Sequence, residues 1–315
     1  MGHMGYTQFE FEMWLPYYSF HLALFAFISG YFYSVNNDSH TIRFILKKAR
    51  TILLPYFLIS LFYLLLQTWL GNYGVSFGLK FSLYNWLVRP WIKCQPLGFN
   101  IATWFMISIF ITEAIYVLSR AITKLVAKDE RSRDILLLFI IGVGAITVIS
   151  YSPYPEEWQR VWLRPIFLCL FCHLGYCYRR YFEGRVHLSY SMLFLVTLIS
   201  RAILIKNFGK IDYGLWNCDF GGTPWWVVIL TSIFGIGFWL SVAKIITPIV
   251  SKEGVLVQIG RHTREIMSHH LLAAFLWHGT IYLFHLLFAL GEAFDINEWK
   301  AKLYFRYAPW GGGTA

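Results

Sequence analysis

Charge is scarce in this sequence. Only 14% of its 315 residues are charged, whereas 57% are hydrophobic and aromatic residues alone make up 20%. A soluble domain carries about a quarter charged residues, which cover its surface. The shortage excludes an ordinary soluble globular protein and indicates a chain that lies in a lipid bilayer.

Several functional motifs are also missing. The sequence contains no P-loop, no glycine-rich dinucleotide-binding pattern, no nucleic-acid-binding motif and no internal repeat. Its histidines, including the evenly spaced His270, His278 and His285, have no Asp, Glu or Cys at metal-ligand spacing. We therefore expect no metal cofactor and no nucleic-acid partner.

Long apolar runs dominate the sequence instead. Eight of them approach the roughly 20 residues that an α-helix needs to cross the hydrocarbon core of a bilayer. The sequence predicts an all-α polytopic membrane protein with about eight transmembrane helices in a single domain, residues 1–315. The runs lie near 15–34, 52–70, 101–119, 135–151, 162–177, 187–205, 224–243 and 266–288.

The net charge of +10 is concentrated in alternate loops. Loops after the first, third, fifth and seventh runs hold 16 of the 27 basic residues and 7 acidic residues, against 11 basic and 9 acidic on the other side. The positive-inside rule makes the first set cytoplasmic, in a plasma (bacterial inner) membrane. The cationic loop residues include Arg43, Lys47, Lys48, Arg50, Arg120, Lys124, Lys128, Arg179, Arg180, Lys244 and Arg261.

Polar residues interrupt the first apolar run, which contains His21, Ser29, Gly30 and Tyr31. An ionisable residue inside a membrane span usually faces a protein-lined cavity and marks a functional site. His21 and Ser29 lie on one helix face, two turns apart. The alternatives are a core histidine bonded to a backbone carbonyl, and a small-residue Ser-Gly face that lets two helices approach closely.

Five segments, in this order, carry a family resemblance. They are the Ser-Gly-Tyr helix ending at Tyr31, the basic entry into Pro-Tyr-Phe at 47–57, the Trp-Phe helix at 100–110 with Glu113 beyond it, the Leu-Gly-Tyr helix ending in Arg179 and Arg180, and the segment 259–263 followed by His270. Together they resemble the membrane acyltransferase-3 family, specifically its fucose 4-O-acetylase-like branch.

The resemblance implies transfer of an acetyl group from cytoplasmic acetyl-coenzyme A to a hydroxyl of a cell-surface or lipid-linked carbohydrate. His3 takes the place of the family's general base, and His21 and Glu113 are further catalytic candidates. The alternative is that Glu113, as an intramembrane carboxylate, only forms a structural ion pair. Lys47, Arg50 and Arg261 are expected to bind the phosphates of coenzyme A. The alternative is that these basic residues only set the orientation of the helices in the membrane. The remaining motif residues are Ser29, Gly30, Tyr31, Trp104 and His270.

Ten helices are typical of this family. We therefore expect the chain to lack most of helix one, including the arginine partner of His3, and all of helix ten. The alternative is that Gly2-His3-Met4 is a cloning scar rather than the end of that helix. The alternative function is a polytopic transporter or flippase of a lipid-linked or small substrate, without acyl-transfer chemistry.

The five cysteines fall into two groups. Cys169, Cys172 and Cys177 lie along the fifth run, where they are expected to pack as small buried groups. Cys94 and Cys218 both fall in loops on the predicted outer side, where a disulfide between them is one alternative.

Cysteine labelling tests the topology. Single cysteines introduced near Lys128 and Arg180 should react only from the cytoplasmic side, and those near Glu156 and Asn217 only from outside, because basic loops resist translocation. The measurement is labelling of intact cells by a membrane-impermeant maleimide. Labelling near Arg180 from outside would reverse the orientation.

Overall fold

A computed structural model gives the fold. It describes residues 19–72, 79–93, 103–151, 155–184 and 189–269, except 210, 212, 252, 264 and 267, and also 276. These residues form helices and the segments that connect them; within them the sole β feature is an isolated bridge between Gly214 and Asp219. The predicted all-α fold is confirmed.

The described residues form ten α-helices. They are α1 (His21–Tyr31), α2 (Thr41–Lys48), α3 (Leu54–Gly71), α4 (Arg89–Ile92), α5 (Trp104–Val126), α6 (Glu130–Ser150), α7 (Glu157–Cys177), α8 (Tyr190–Phe208), α9 (Trp225–Ile246) and α10 (Val255–Arg261). A 3₁₀ turn (Val35–Ser39) precedes α2, and π-helical segments occupy Ala49–Leu53, Tyr84–Val88 and Tyr178–Phe182.

The chain divides into two compact units. The first unit contains Met1–Ala49 and Ser108–Val250, and the second contains Arg50–Ile107 and Ser251–Ala315. The first unit thus includes α1, α2, α6, α7, α8, α9 and most of α5, and the second includes α3, α4 and α10.

Six helical segments of the described chain are long and apolar enough to cross a membrane, and α1 is a shorter apolar helix. The six agree with the predicted runs from 52–70 to 224–243, which confirms a multi-pass membrane protein. The predicted run at 266–288 lies almost entirely outside the described residues. The six segments are Thr41–Gly71, Trp104–Val126, Glu130–Ser150, Glu157–Phe182, Tyr190–Phe208 and Trp225–Ile246.

Local sequence signals set several helix ends. Asp129 caps α6 by accepting a hydrogen bond from the Ser132 N–H at 2.8 Å, and Glu156 forms a capping box with Gln159 at the start of α7. The α8 helix ends at Phe208 and is followed by the C-cap Gly209, whose φ of 72° suits glycine. These signals satisfy backbone groups that the helices themselves leave open.

The prediction that Arg120 is a loop cation is wrong. The third apolar run was expected to end at residue 119, but α5 continues to Val126 and its side chain at Arg120 is fully buried. A charged residue can continue a membrane helix when protein groups neutralise it. Asp38 and Asp134 do so here.

Two glycines let α1 and α7 pack backbone to backbone. A Cβ atom at Gly30 would overlap the carbonyl oxygen of Cys172, and one at Gly175 would overlap the carbonyl oxygen of Phe27. Small residues of this kind allow close approach where lipid provides no hydrophobic drive for helix association. The small-residue face expected around Gly30 is therefore present.

Substitution at Gly175 should destabilise the protein. Gly175→Ala forces α1 and α7 apart and should cost about 1–3 kcal/mol, seen as a lower midpoint of thermal unfolding in detergent. Gly142→Ala on α6, where a Cβ would meet nothing within 4 Å, is the matched control and should be neutral or stabilising. Equal midpoints for the two variants would contradict the close packing.

Candidate active site

A cavity of about 800 Å³, lined by both apolar and polar side chains, lies within the first unit. Its wall is built from α1, the segment between α1 and α2, α2, α5 and α7. This volume is within the range of small-molecule sites. The polar lining residues are Ser29, Tyr33, Ser34, Asn36, Asn37, His40, Arg43, Lys47, Lys48, Glu113, Tyr116 and Cys172.

Glu113 is a buried carboxylate in the cavity wall. Its Oε1 accepts hydrogen bonds from the Ser29 hydroxyl and from the Lys48 ammonium, the latter at 2.6 Å. Within the described part of the chain, its Oε2 has no hydrogen-bond partner. The ion pair with Lys48 neutralises a charge that the membrane interior would otherwise penalise.

The segment from 40 to 48 makes one side of the cavity cationic. Arg43, Lys47 and Lys48 all line it, together with His40, and Glu113 is the acidic residue among the lining side chains. Cations on a shared wall attract anionic ligands, and the attraction is strongest where water is partly excluded.

A buried ion cluster lies behind the cavity. Arg120 on α5 makes three hydrogen-bond contacts to Asp38, at 3.0, 3.1 and 3.2 Å, and donates one hydrogen bond to Asp134 on α6 at 2.9 Å. The side chains of Arg120, Asp38 and Asp134 are each at most 3% exposed. Arg133 adds a second cation 3.9 Å from Asp38. The two carboxylates and two guanidinium groups balance in charge.

Aromatic hydroxyls complete this cluster. Tyr33 donates to Asp38 at 2.6 Å, Tyr181 donates to Asp134 at 2.6 Å, and the Arg120 guanidinium stacks over the Tyr176 ring at 4.2 Å. The two tyrosine hydroxyls thus give each carboxylate of the cluster a further hydrogen-bond donor. Tyr33 also lines the cavity.

The cluster anchors one wall of the cavity. Asp38 is the buried residue of the 3₁₀ turn Val35–Ser39, and its neighbours Asn36 and Asn37 line the cavity. Because Arg120 holds Asp38 by three hydrogen-bond contacts, the turn is fixed to α5. Sequence reasoning missed this function of Asp38 and Arg120, because the two are 82 residues apart in the chain.

Tyr31 belongs to a separate clamp. Its hydroxyl donates to the Glu183 carboxylate at 2.8 Å, and Lys244 on α9 pairs with the same carboxylate at 2.6 Å. Partial burial raises the pKa of Glu183, but the bonds from Lys244 and Tyr31 outweigh it and leave the pKa below the usual value. The clamp joins the end of α1 to α9.

The other predicted site residues are dispersed. His21 is eight residues from Ser29 on α1, about 12 Å along the helix axis, and is not among the residues that line the cavity. Trp104 begins α5 in the second unit, where Arg50 and Arg261 also belong. His3, His270 and the Cys94 side of the suggested disulfide lie outside the described residues.

The family of the chain is shown by comparison with known proteins. The acyltransferase-3 family model, described as an acyltransferase domain, matches residues 1–301. The chain belongs to this family and is a membrane acyltransferase. No curated protein and no solved structure matches it.

Removing Arg120 should destabilise the protein strongly. Arg120→Gln leaves two buried carboxylates without their main counter-charge, which costs about 3–5 kcal/mol and lowers the midpoint of thermal unfolding. Lys128→Gln removes the same charge just beyond the end of α5, at an exposed site, and should change stability by less than about 0.5 kcal/mol. A small effect at Arg120 would contradict the anchoring function of the cluster.

Proposed function

We propose that this acyltransferase is an O-acetyltransferase. It takes an acetyl group from acetyl-coenzyme A that enters the first-unit cavity from the cytoplasmic side, and transfers it to a hydroxyl of a cell-surface or lipid-linked carbohydrate. One observation carries the donor assignment: the cavity joins a cationic wall to a buried, hydrogen-bonded carboxylate.

The cationic wall suits the phosphates of coenzyme A. Arg43 and Lys47 on α2 supply charge-assisted donors at the cavity wall, in a stretch of the chain that also holds Lys48 and Arg50. Lys47 was assigned to coenzyme A from the sequence, and its place in the cavity wall supports that assignment. Arg50 and Arg261 gain no such support, because they belong to the second unit.

The chemistry requires one proton transfer and one exchange of bonds. The acceptor hydroxyl oxygen attacks the thioester carbonyl carbon while a general base takes the hydroxyl proton. The carbon–sulfur bond then breaks, and coenzyme A leaves as its thiol after receiving that proton. Oxygen–carbon bond formation and carbon–sulfur bond cleavage balance, so no oxidant or metal is needed.

Glu113 is assigned a positioning function in this proposal. Its bonds from Lys48 and Ser29 fix the Lys48 ammonium in the cavity, where an anionic donor group or the developing oxyanion requires a cation. His3 remains the proposed base on the family resemblance. His21, some 12 Å from Ser29 along α1, is the second candidate for that function.

Loss of the cationic wall should weaken donor binding. The double substitution Arg43→Ala with Lys47→Ala should raise the KM for acetyl-coenzyme A about tenfold or more and change kcat little, because the lost bonds are to phosphates rather than to the reacting carbon. The measurement is transfer of labelled acetyl groups to glycan in isolated membranes at several donor concentrations.

Two further measurements support this test: the dependence of KM on ionic strength, and a matched control variant. The dependence of KM on ionic strength should also fall in the double variant, since fewer cations attract the donor. Lys128→Ala removes one exposed positive charge from a loop away from the cavity lining and should leave both constants unchanged. An unchanged KM in the double variant would refute the donor site.

A further inference from the structure

In the second unit, helix α3 buries mostly polar side chains and exposes apolar ones, the reverse of a helix in a soluble protein. The buried residues of α3 are Tyr56, Ser60, Tyr63, Leu64 and Gln67, and all but one carry a polar group. Exposed residues of the same helix are large and apolar: Leu54, Leu58, Phe62, Leu65 and Trp69. Polar residues on the inner face of a spanning helix line a substrate path or a polar interior, because lipid cannot solvate them.

Two buried side chains in this unit lack partners. Gln67 is 4% exposed, and neither its Oε1 nor its Nε2 has a hydrogen-bond partner among the described residues. Ser268, in the helical turn that also holds His269, is 1% exposed and its Oγ has no partner there either. A buried carboxamide normally finds partners, because burying one without them costs free energy.

A hydrogen bond also fixes the buried face of α3 at Tyr63, one helical turn before Gln67. The Tyr63 hydroxyl lies 2.8 Å from His269 Nδ1, and the two rings lie 5.9 Å apart between centroids. This contact ties α3 to the turn that carries Ser268. The Gln67 carboxamide is therefore presented by a helix face that the protein itself fixes.

We propose that the polar face of α3, defined as Ser60, Tyr63 and Gln67, binds the carbohydrate acceptor, and that the Gln67 carboxamide pairs with two of its hydroxyls. The inference rests on the proposed function and deepens it. A carboxamide offers an acceptor oxygen beside two N–H donors, which matches adjacent ring hydroxyls that both donate and accept.

The chemistry of the face selects a neutral, hydroxyl-rich ligand. The buried residues of α3 include no charged side chain, so an anionic or cationic ligand would find no counter-charge on this helix. A purely apolar ligand would leave the Gln67 amide without partners. A sugar ring satisfies both conditions.

Gln67→Leu tests the inference, with the glycan fraction of the host membranes as the acceptor probe. In purified protein the variant should raise the apparent KM for this fraction about tenfold, as expected for two lost neutral hydrogen bonds. The KM for acetyl-coenzyme A and the slow release of coenzyme A without glycan should not change. Gln258→Leu, the same change at an exposed site on α10, is the matched control.

The thermal stability of the Gln67→Leu variant shows whether Gln67 binds a ligand or has a structural function. Replacing an unsatisfied buried amide by an apolar side chain of similar size should leave the midpoint of thermal unfolding unchanged or raise it. If the acceptor KM of the Gln67 variant is unchanged, with or without a lower midpoint, the inference is wrong. Normal acetyl transfer by the wild-type protein would still uphold the proposed function in that case. Absence of glycan acetylation by the wild-type protein overturns both.

Discussion

Burial of Arg120 is the constraint on which the first unit depends. A guanidinium that the bilayer and the surrounding helices deprive of water must be neutralised by protein groups, and breaking such a pair leaves an uncompensated charge. Asp38 and Asp134 provide the neutralisation from two different parts of the chain. Their bonds fix the 3₁₀ turn before α2 against α5 and α6, and that turn forms part of the cavity wall.

The cavity combines two kinds of interaction that a membrane acyltransferase requires. Two of its cations, Arg43 and Lys47, lie on the helix that follows the anchored turn. Glu113, the carboxylate among the described lining residues, is held by Ser29 and Lys48. Under the proposed function, this cavity both attracts the charged donor and encloses its thioester. The proposed acceptor site is separate from this cavity and consists of the polar face of α3, in the second unit.

Sequence reasoning predicts the spans well, because an apolar run of about 20 residues in a chain with so little charge is typical of a helix that crosses the bilayer. It also singled out Glu113, Lys47 and Ser29, which line the cavity, and Gly30, where α1 and α7 pack closely. It misplaced Arg120, because hydropathy treats a cation as the end of a span and the pairing with Asp38 depends on tertiary structure. The exposed and buried faces of α3 are likewise set by packing, although the spacing of Ser60, Tyr63 and Gln67 is visible in the sequence.

Protection of a cysteine in the cavity wall tests the central claim, that this cavity holds the acyl donor. Asn37→Cys places a thiol on the anchored turn, and Lys128→Cys places one on an exposed loop on the same predicted side; wild-type protein gives the background from native cysteines. In inside-out vesicles, saturating acetyl-coenzyme A should slow maleimide modification at residue 37 at least several-fold and leave residue 128 unaffected. Equal modification rates at residue 37 with and without the donor, in a variant that still transfers acetyl groups, would contradict the account.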